Sequence, residues 1–254
     1  MANEMKLAFW IGAGLLILIL EVVNGAEDYC DPHLCDPGVK HIGCDNPNQL
    51  DPSCEEGFVY EMNDKLKKLI VDTHNDYRNQ VAKGTINWLQ SSSNMVAMDW
   101  DDDLAYLAEL NVKTCSGDHD KCHNTVDYPS SGQNIASWGT SGSEIDVDKK
   151  LPDLIWQWWD ERHKSNQRQI NKLFDKKNTL HFTMLARDKA NRVGCGLIRN
   201  KQNGWYWLTL TCNYAYTNMI GTRVYKSGTP CSECKTGCDK KWDGLCTKDE
   251  PVDL

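Results

Sequence analysis

The chain has 254 residues, a formal charge of −8 at neutral pH, 25% charged residues, ten tryptophans and 12 cysteines. Net acidity excludes a binder that holds nucleic acid by electrostatics. An even set of cysteines, all downstream of residue 25, excludes a chain built for a reducing compartment and predicts disulfides.

The first segment, residues 1–25, reads as a secretory signal. Lys6 precedes an apolar run from Leu7 to Leu20 that is too short to span a bilayer comfortably, and Val23 and Gly25 precede the cut that leaves Ala26 first, with a cut between Ala26 and Glu27 as the near alternative. The leader carries Glu4, Lys6 and Glu21, a net −1, so the mature chain keeps −7. No later segment is long and apolar enough to span a membrane, and no Asn-x-Ser/Thr acceptor occurs.

Residues 26–57 are rich in Cys, Asp, Pro and Gly and lack a helical period, which predicts an irregular extension held by bridges. From Leu66, the positions Leu69, Ile70, Thr73, Tyr77 and Val81 recur at helical spacing, with Gly84 as the stop. A second helix is capped by Asp101 and carries Leu104, Leu107, Ala108, Val112 and Cys115 inward. Residues 130–143, rich in Gly and hydroxyls, read as strand ends and loop. A third helix follows with Leu154, Ile155, Trp158 and Trp159, and Pro152 in its first turn.

Asn203-Gly204 is the favoured centre of a two-residue hairpin turn between arms at 192–199 and 205–214. Closing that turn with residues 202 and 205 pairs positions summing to 407, which sets Cys195 opposite Cys212 at a non-hydrogen-bonded site and predicts a bridge there. Residues 218–254 are too Cys-dense and apolar-poor to share the core, which predicts an appendage. Helices followed by late strands give an α+β sandwich of one main domain at 58–217.

Several segments carry a family resemblance: His74-Asn75 with Arg78, Gly132-Gln133-Asn134-Ile135-Ala136, His181-Phe182-Thr183, Val193-Gly194-Cys195-Gly196 and Leu210-Thr211-Cys212-Asn213-Tyr214. In order and spacing they resemble the signatures of the CAP superfamily, which includes cysteine-rich secretory proteins, insect venom allergens and plant pathogenesis-related proteins. The Cys-rich start, the Cys115-x6-Cys122 pair around His119-Asp120, and Gln133 where many members have Glu are similar to the antigen 5 branch. The tail cysteines resemble those of biting-fly salivary members.

The resemblance implies a three-layer α/β/α sandwich with Cys-rich N- and C-terminal extensions. It implies bridges Cys30–Cys44, Cys35–Cys122, Cys54–Cys115 and Cys195–Cys212, and leaves open the three pairings of Cys231, Cys234, Cys238 and Cys246. It also implies a cleft tetrad of His119, Gln133, Glu161 and His181, with His119 and His181 as ligands for a divalent metal such as zinc or copper. His123 is expected to be a solvated loop histidine. Met184 and Arg187 stand where the signature carries Gln and Trp, so Arg187 is expected either to draw anionic ligands or to point into solvent.

Neither G-x-S-x-G nor H-E-x-x-H occurs, and the amide of Gln133 cannot take a proton. With no catalytic motif beside it, the resemblance implies a monomeric, non-enzymatic binding protein of saliva or venom, an allergen taking a lipid or small amphiphile as relatives take sterols, fatty acids or eicosanoids. Host proteins and antibodies are the expected macromolecular partners. Two alternatives are a receptor, channel or platelet antagonist acting through the tail, and a metal-dependent hydrolase with Glu161 as base. The chain has no Arg-Gly-Asp; Ser116-Gly117-Asp118 does not replace it.

Overall fold

The computed structural model describes residues 27–175 and 178–253, so the expected leader lies outside the described residues. The elements in chain order are β1 (Glu55–Val59), α1 (Asp64–Ala82), β2 (Asp99–Trp100), α2 (Asp102–Val112), β3 (Gly132–Thr140), α3 (Val147–Asp160), a 3-10 turn (Glu161–Lys164), α4 (Gln167–Asn171), α5 (Leu180–Leu185), β4 (Arg192–Gln202) and β5 (Trp205–Tyr214). The sheet runs β1-β4-β5-β3, antiparallel throughout, with short β2 added parallel to β4. None of the described helices is long and apolar enough to cross a membrane.

The hairpin follows from its turn. Asn203 and Gly204 both take positive φ, 51° and 78°, which the favoured two-residue turn needs. Gln202 then faces Trp205, and the register carries up to Cys195 opposite Cys212, bonded with Cα atoms 4.1 Å apart. Alternation puts Val193, Cys195 and Leu197 on one face, in the core cluster with α1, α3 and α5. Gly194 and Gly196 face α2. A Cβ on Gly194 would lie 2.1 Å from the Ala105 amide nitrogen, and one on Gly196 would lie 2.7 Å from Glu109 Cα. The paired glycines therefore let α2 lie flush on the sheet.

The helix motif residues hold the layers together. Asn75 accepts from the Met98 amide (2.7 Å) and donates to its carbonyl (2.9 Å). The wholly buried Arg78 guanidinium donates to the carbonyls of Val96, Leu185 and Arg187 at 2.7–3.1 Å, so the buried charge is paid for in hydrogen bonds. In α3 the Trp158 indole donates to the Ile135 carbonyl (3.1 Å), and Trp159 stacks on Tyr77 with centroids 4.6 Å apart.

Several sequence expectations need correction. β3 is a continuous nine-residue strand rather than strand ends and loop, because its partner β5 pairs it along its whole length. Pro152 sits in the sixth position of α3, since Asp146 caps the Lys149 amide (3.2 Å) and starts the helix earlier. α2 ends at Val112, and Cys115 lies beyond it with φ 52°. The tail is no appendage: Val224, Tyr225 and Leu245 are buried in the core cluster. Main-chain bonds dock it there, among them Cys246 N to Met95 O (2.8 Å) and Ala97 N to Cys246 O (3.0 Å). These few apolar side chains suffice because cystines and β-bridges, rather than a periodic pattern, place them.

Arg187 explains part of that docking. It neither faces the cleft nor reaches solvent: it is 2% exposed and donates to the Arg223 carbonyl (2.8 Å) and the Thr222 hydroxyl (3.2 Å) of the tail. Burial holds its pKa below the ordinary value.

The described cystines are Cys30–Cys44, Cys35–Cys122, Cys54–Cys115, Cys195–Cys212, Cys231–Cys238 and Cys234–Cys246, and no described cysteine is free. The expected boundary at residue 57 falls inside β1, which pairs with the edge of β4.

Candidate functional site

A cleft of about 640 Å³ opens between the start of β3, the first turn of α5 and the α2–β3 loop, and His119, Gln133, Glu161 and His181 all line it. Leu180 and Met184 supply apolar wall, and Asp175, Asn178, Thr217 and Asn218 supply polar rim. Met184 thus belongs to the cleft.

Each histidine is oriented through Nδ1. Glu161, the first residue of the 3-10 turn after α3, turns its carboxylate toward the start of α5. Oε2 accepts from the His181 and Phe182 amides (2.9 and 3.2 Å), and Oε1 accepts from His181 Nδ1 (2.9 Å). Three donors therefore converge on one carboxylate, which satisfies orphan amides at the helix start while fixing the ring.

His119 is held by side chains. Gln133 Nε2 donates to Asp120 Oδ2 (2.6 Å) and Asn213 Oδ1 (2.9 Å), so its oxygen faces His119 Nδ1 at 2.7 Å and must accept. Asn111 Nδ2 also donates to Asp120 Oδ2 (3.1 Å), and His123 Nδ1 lies 2.7 Å from Oδ1. Burial opposes ionisation of Asp120, but His123, Gln133 and Asn111 outweigh it and hold the pKa below the usual carboxylate value. A Glu at 133 would set its carboxylate against Asp120 and Asn213 oxygens, which gives the amide a physical reason here.

His123 departs from its expected role. It is 9% exposed, and its Nε2 has no partner among the described residues. Cys122 beside it is drawn under the N-terminal extension by the bridge to Cys35, and the Ile42 amide donates to the Cys122 carbonyl (2.9 Å). His119 lies between Cys115 and Cys122, both bonded into that extension. The extension thereby tethers the loop that carries a cleft histidine.

Sequence reasoning missed Asp120 and Asn213 as partners of Gln133. The signals were the acid adjoining His119 and the alternation that sends Asn213 to the face opposite Cys212. Behind His181, Asn134 donates to its carbonyl (3.1 Å) and to the Tyr214 hydroxyl (3.3 Å), which in turn lies 3.0 Å from His74 Nε2.

The donor set can be tested against a divalent metal. With Nδ1 of each ring engaged, His119 and His181 each keep Nε2 without a hydrogen-bond partner among the described residues. A ligand imidazole held through its other nitrogen is the usual arrangement. Glu161 is fully engaged, and His119, Glu161 and His181 do not bring three donor atoms within 4.8 Å of one another. That leaves the two imidazole nitrogens as the candidate protein ligands lining the cleft. The separate group Cys30, Cys44 and Asp45 does meet that spacing, but its sulfurs are joined in a disulfide and cannot ligate as thiolates.

With this geometry in place, comparisons with known proteins bear on it. The family described as "CAP: Cysteine-rich secretory protein family" matches residues 71–214. Venom allergen-1 of Aedes albopictus is 34% identical over 251 residues, covering 95% of this chain and 96% of that protein. The antigen 5 like allergen Cul n 1 of Culicoides nubeculosus is 33% identical over 194 residues, covering 72% and 88%. Among solved structures, NaASP2 with Zn2+ superposes with a TM-score of 0.61 at 25% identity, covering 73% of this chain and 96% of that one.

Proposed function

The chain belongs to the CAP, or cysteine-rich secretory protein, family, and from that premise we propose that it is an exported, non-enzymatic binding protein of the antigen 5 type. Its cleft takes a divalent metal, zinc or copper, through Nε2 of His119 and His181, and a lipid or small amphiphile against Leu180 and Met184. The observation that carries this reading is the pair of imidazoles lining one cleft, each committed at Nδ1 and open at Nε2. Bound there, a metal would supply Lewis acidity and a fixed charge to hold an anionic headgroup. A cleft of about 640 Å³ with apolar wall and convergent polar groups suits a small amphiphile. Zinc in a relative's structure supports the metal class, and likeness to allergens of Aedes and Culicoides supports release in saliva or venom and recognition by host antibodies.

The hydrolase reading lacks support. Its candidate base, Glu161, already accepts from three donors that orient α5 and His181, which leaves it poorly placed to take a proton from water.

Native mass spectrometry of the secreted protein after exposure to a lipid extract tests the cargo. The expected species carries one amphiphile, and displacement by a bulkier residue at Met184 locates it. A ligand-free species throughout would remove the carrier function.

A further inference from the structure

Just past the cleft rim the chain makes a closed turn with an apolar tip. The Met219 carbonyl accepts from the Thr222 amide (3.1 Å) and hydroxyl (2.8 Å), and Gly221 at the third position takes φ 87°, as a type II turn requires. Leu173 fixes the turn from α4: its amide donates to the Thr222 carbonyl and its carbonyl accepts from the Gly221 amide, both at 2.7 Å. Ile220, at the second position of this turn, is nonetheless 62% exposed, and Met219 is 40% exposed. Turn tips ordinarily carry Gly, Pro, Asn, Asp or Ser, and among the described residues no other two exposed large apolar side chains are consecutive. A fixed backbone therefore holds an apolar pair out in water.

Cations adjoin the tip. Residues 162–174 carry Arg162, Lys164, Arg168 and Lys172 and no acid, in a chain of net charge −8. The segment lies along the turn through the two Leu173 bonds and a third from the Val224 amide to the Ile170 carbonyl (2.8 Å). Lys172, next to Leu173, and Arg168, one helical turn earlier, are exposed and form no ion pair among the described residues; Arg168 lies over the Phe174 ring, 5.7 Å from its centroid. Neighbouring charges have occupations of their own. Asp160 Oδ1 lies 3.5 Å from Arg162 and 3.6 Å from His163, Glu161 and Asp175 line the cleft, Glu233 pairs with Lys226, and Arg223 acts on buried Asp188.

We propose that this turn docks the protein on anionic phospholipid bilayers, with Ile220 and Met219 entering the interface and Lys172 and Arg168 meeting the headgroups. Interfacial binding scales with buried apolar area plus attraction to anionic lipid, and each Lys or Arg near such a surface adds roughly a fivefold gain. The long Lys and Arg stems let the charges stay at headgroup level while the tip goes deeper. A sulfated polysaccharide would use the cations but gains nothing from an apolar tip. Thr217 and Asn218, which line the cleft, directly precede the tip, so docking brings the cleft mouth to the lipid. The use of the contact rests on the cleft taking an amphiphile; the contact itself does not.

The test is flotation of the full secreted chain with vesicles of phosphatidylcholine alone and of equimolar phosphatidylcholine and phosphatidylserine, with heparin as the polyanion control. The expected result is partition at least about tenfold stronger to the anionic vesicles, lost by at least about tenfold in Ile220→Ser and by a similar factor in Arg168→Gln/Lys172→Gln. Both variants change exposed side chains and leave the main-chain bonds of the turn in place. No partition, equal partition to both vesicles, or an Ile220→Ser variant that binds as the parent does would each overturn the proposal. Loss confined to the cation variant, with heparin bound as tightly as the vesicles, would assign the surface to a polysaccharide and overturn it too. Cargo is read separately by native mass spectrometry: Ile220→Ser that keeps an amphiphile but no longer floats supports the docking surface, whereas a parent that floats without cargo removes the carrier reading alone.

Discussion

The two histidines of the cleft are held in opposite ways. His181 rides on the first turn of α5, and its ring partner, Glu161, also accepts two main-chain amides of that turn. His119 sits in a loop without regular structure and depends on the run from Gln133 to Asp120 and His123, inside a segment tied by two cystines to the N-terminal extension. One ring is fixed by local main-chain geometry, the other by distant covalent links and a buried side-chain network. The difference teaches that the N-terminal extension is part of the cleft's support, although none of its described residues lines it.

Removing the Cys35–Cys122 bridge breaks the comparison most severely. The link spans 87 residues, and its loss as Cys35→Ala/Cys122→Ala should cost about 4 kcal/mol in denaturant unfolding. The His119 ring resonances should broaden while those of His181 stay sharp. Equal broadening of both would show that the two supports are not independent.

Acid probes the His181 side through buried His74. Burial, with the Arg78 charge adding to it, holds His74 down to about 4 despite its bond to the Ile70 carbonyl. Below its ordinary value of 6.5 the unfolded chain binds a proton that the folded chain refuses, so stability is full above that pH and falls as pH drops toward 4. The loss should reach about 3 kcal/mol, read from unfolding midpoints across that window. In His74→Gln the slope should flatten.

Glu161→Ala removes a ring partner and the acceptor of two amides together. Zinc affinity should fall by about 10–100-fold in calorimetry, with roughly 1 kcal/mol lost from stability. Asp120→Asn sharpens the other side more gently. It keeps the size of the side chain and an acceptor for Gln133, so zinc binding should weaken by only about threefold, while ¹⁵N shifts of His119 report a less fixed tautomer.

Much of the sandwich could be read from local rules. The Asn203-Gly204 turn and period-two alternation set the β4–β5 register, and Asp101 and Gly84 marked helix ends where the structure has them. Gly194 and Gly196 stood in a family motif, but their purpose needed α2 laid across them. What escaped depends on contacts between segments far apart in the chain. Arg187 resembles a ligand-facing cation until Thr222 and Arg223 arrive to accept from it. His123 resembles a loop histidine until the extension covers it, and Leu245 looks too isolated for a core until two tail cystines fold it inward. In the cleft, the residue types were legible, whereas the engagement of Glu161 was not, because main-chain amides leave no mark in a sequence.

The most direct measurement is zinc and copper titration of the purified secreted chain beside His119→Ala, His181→Ala and the double variant. Cooperation of two imidazoles in one cleft predicts a single metal per chain, weakened in each single variant and absent in the double. A double variant that still retains one equivalent of metal would contradict the account.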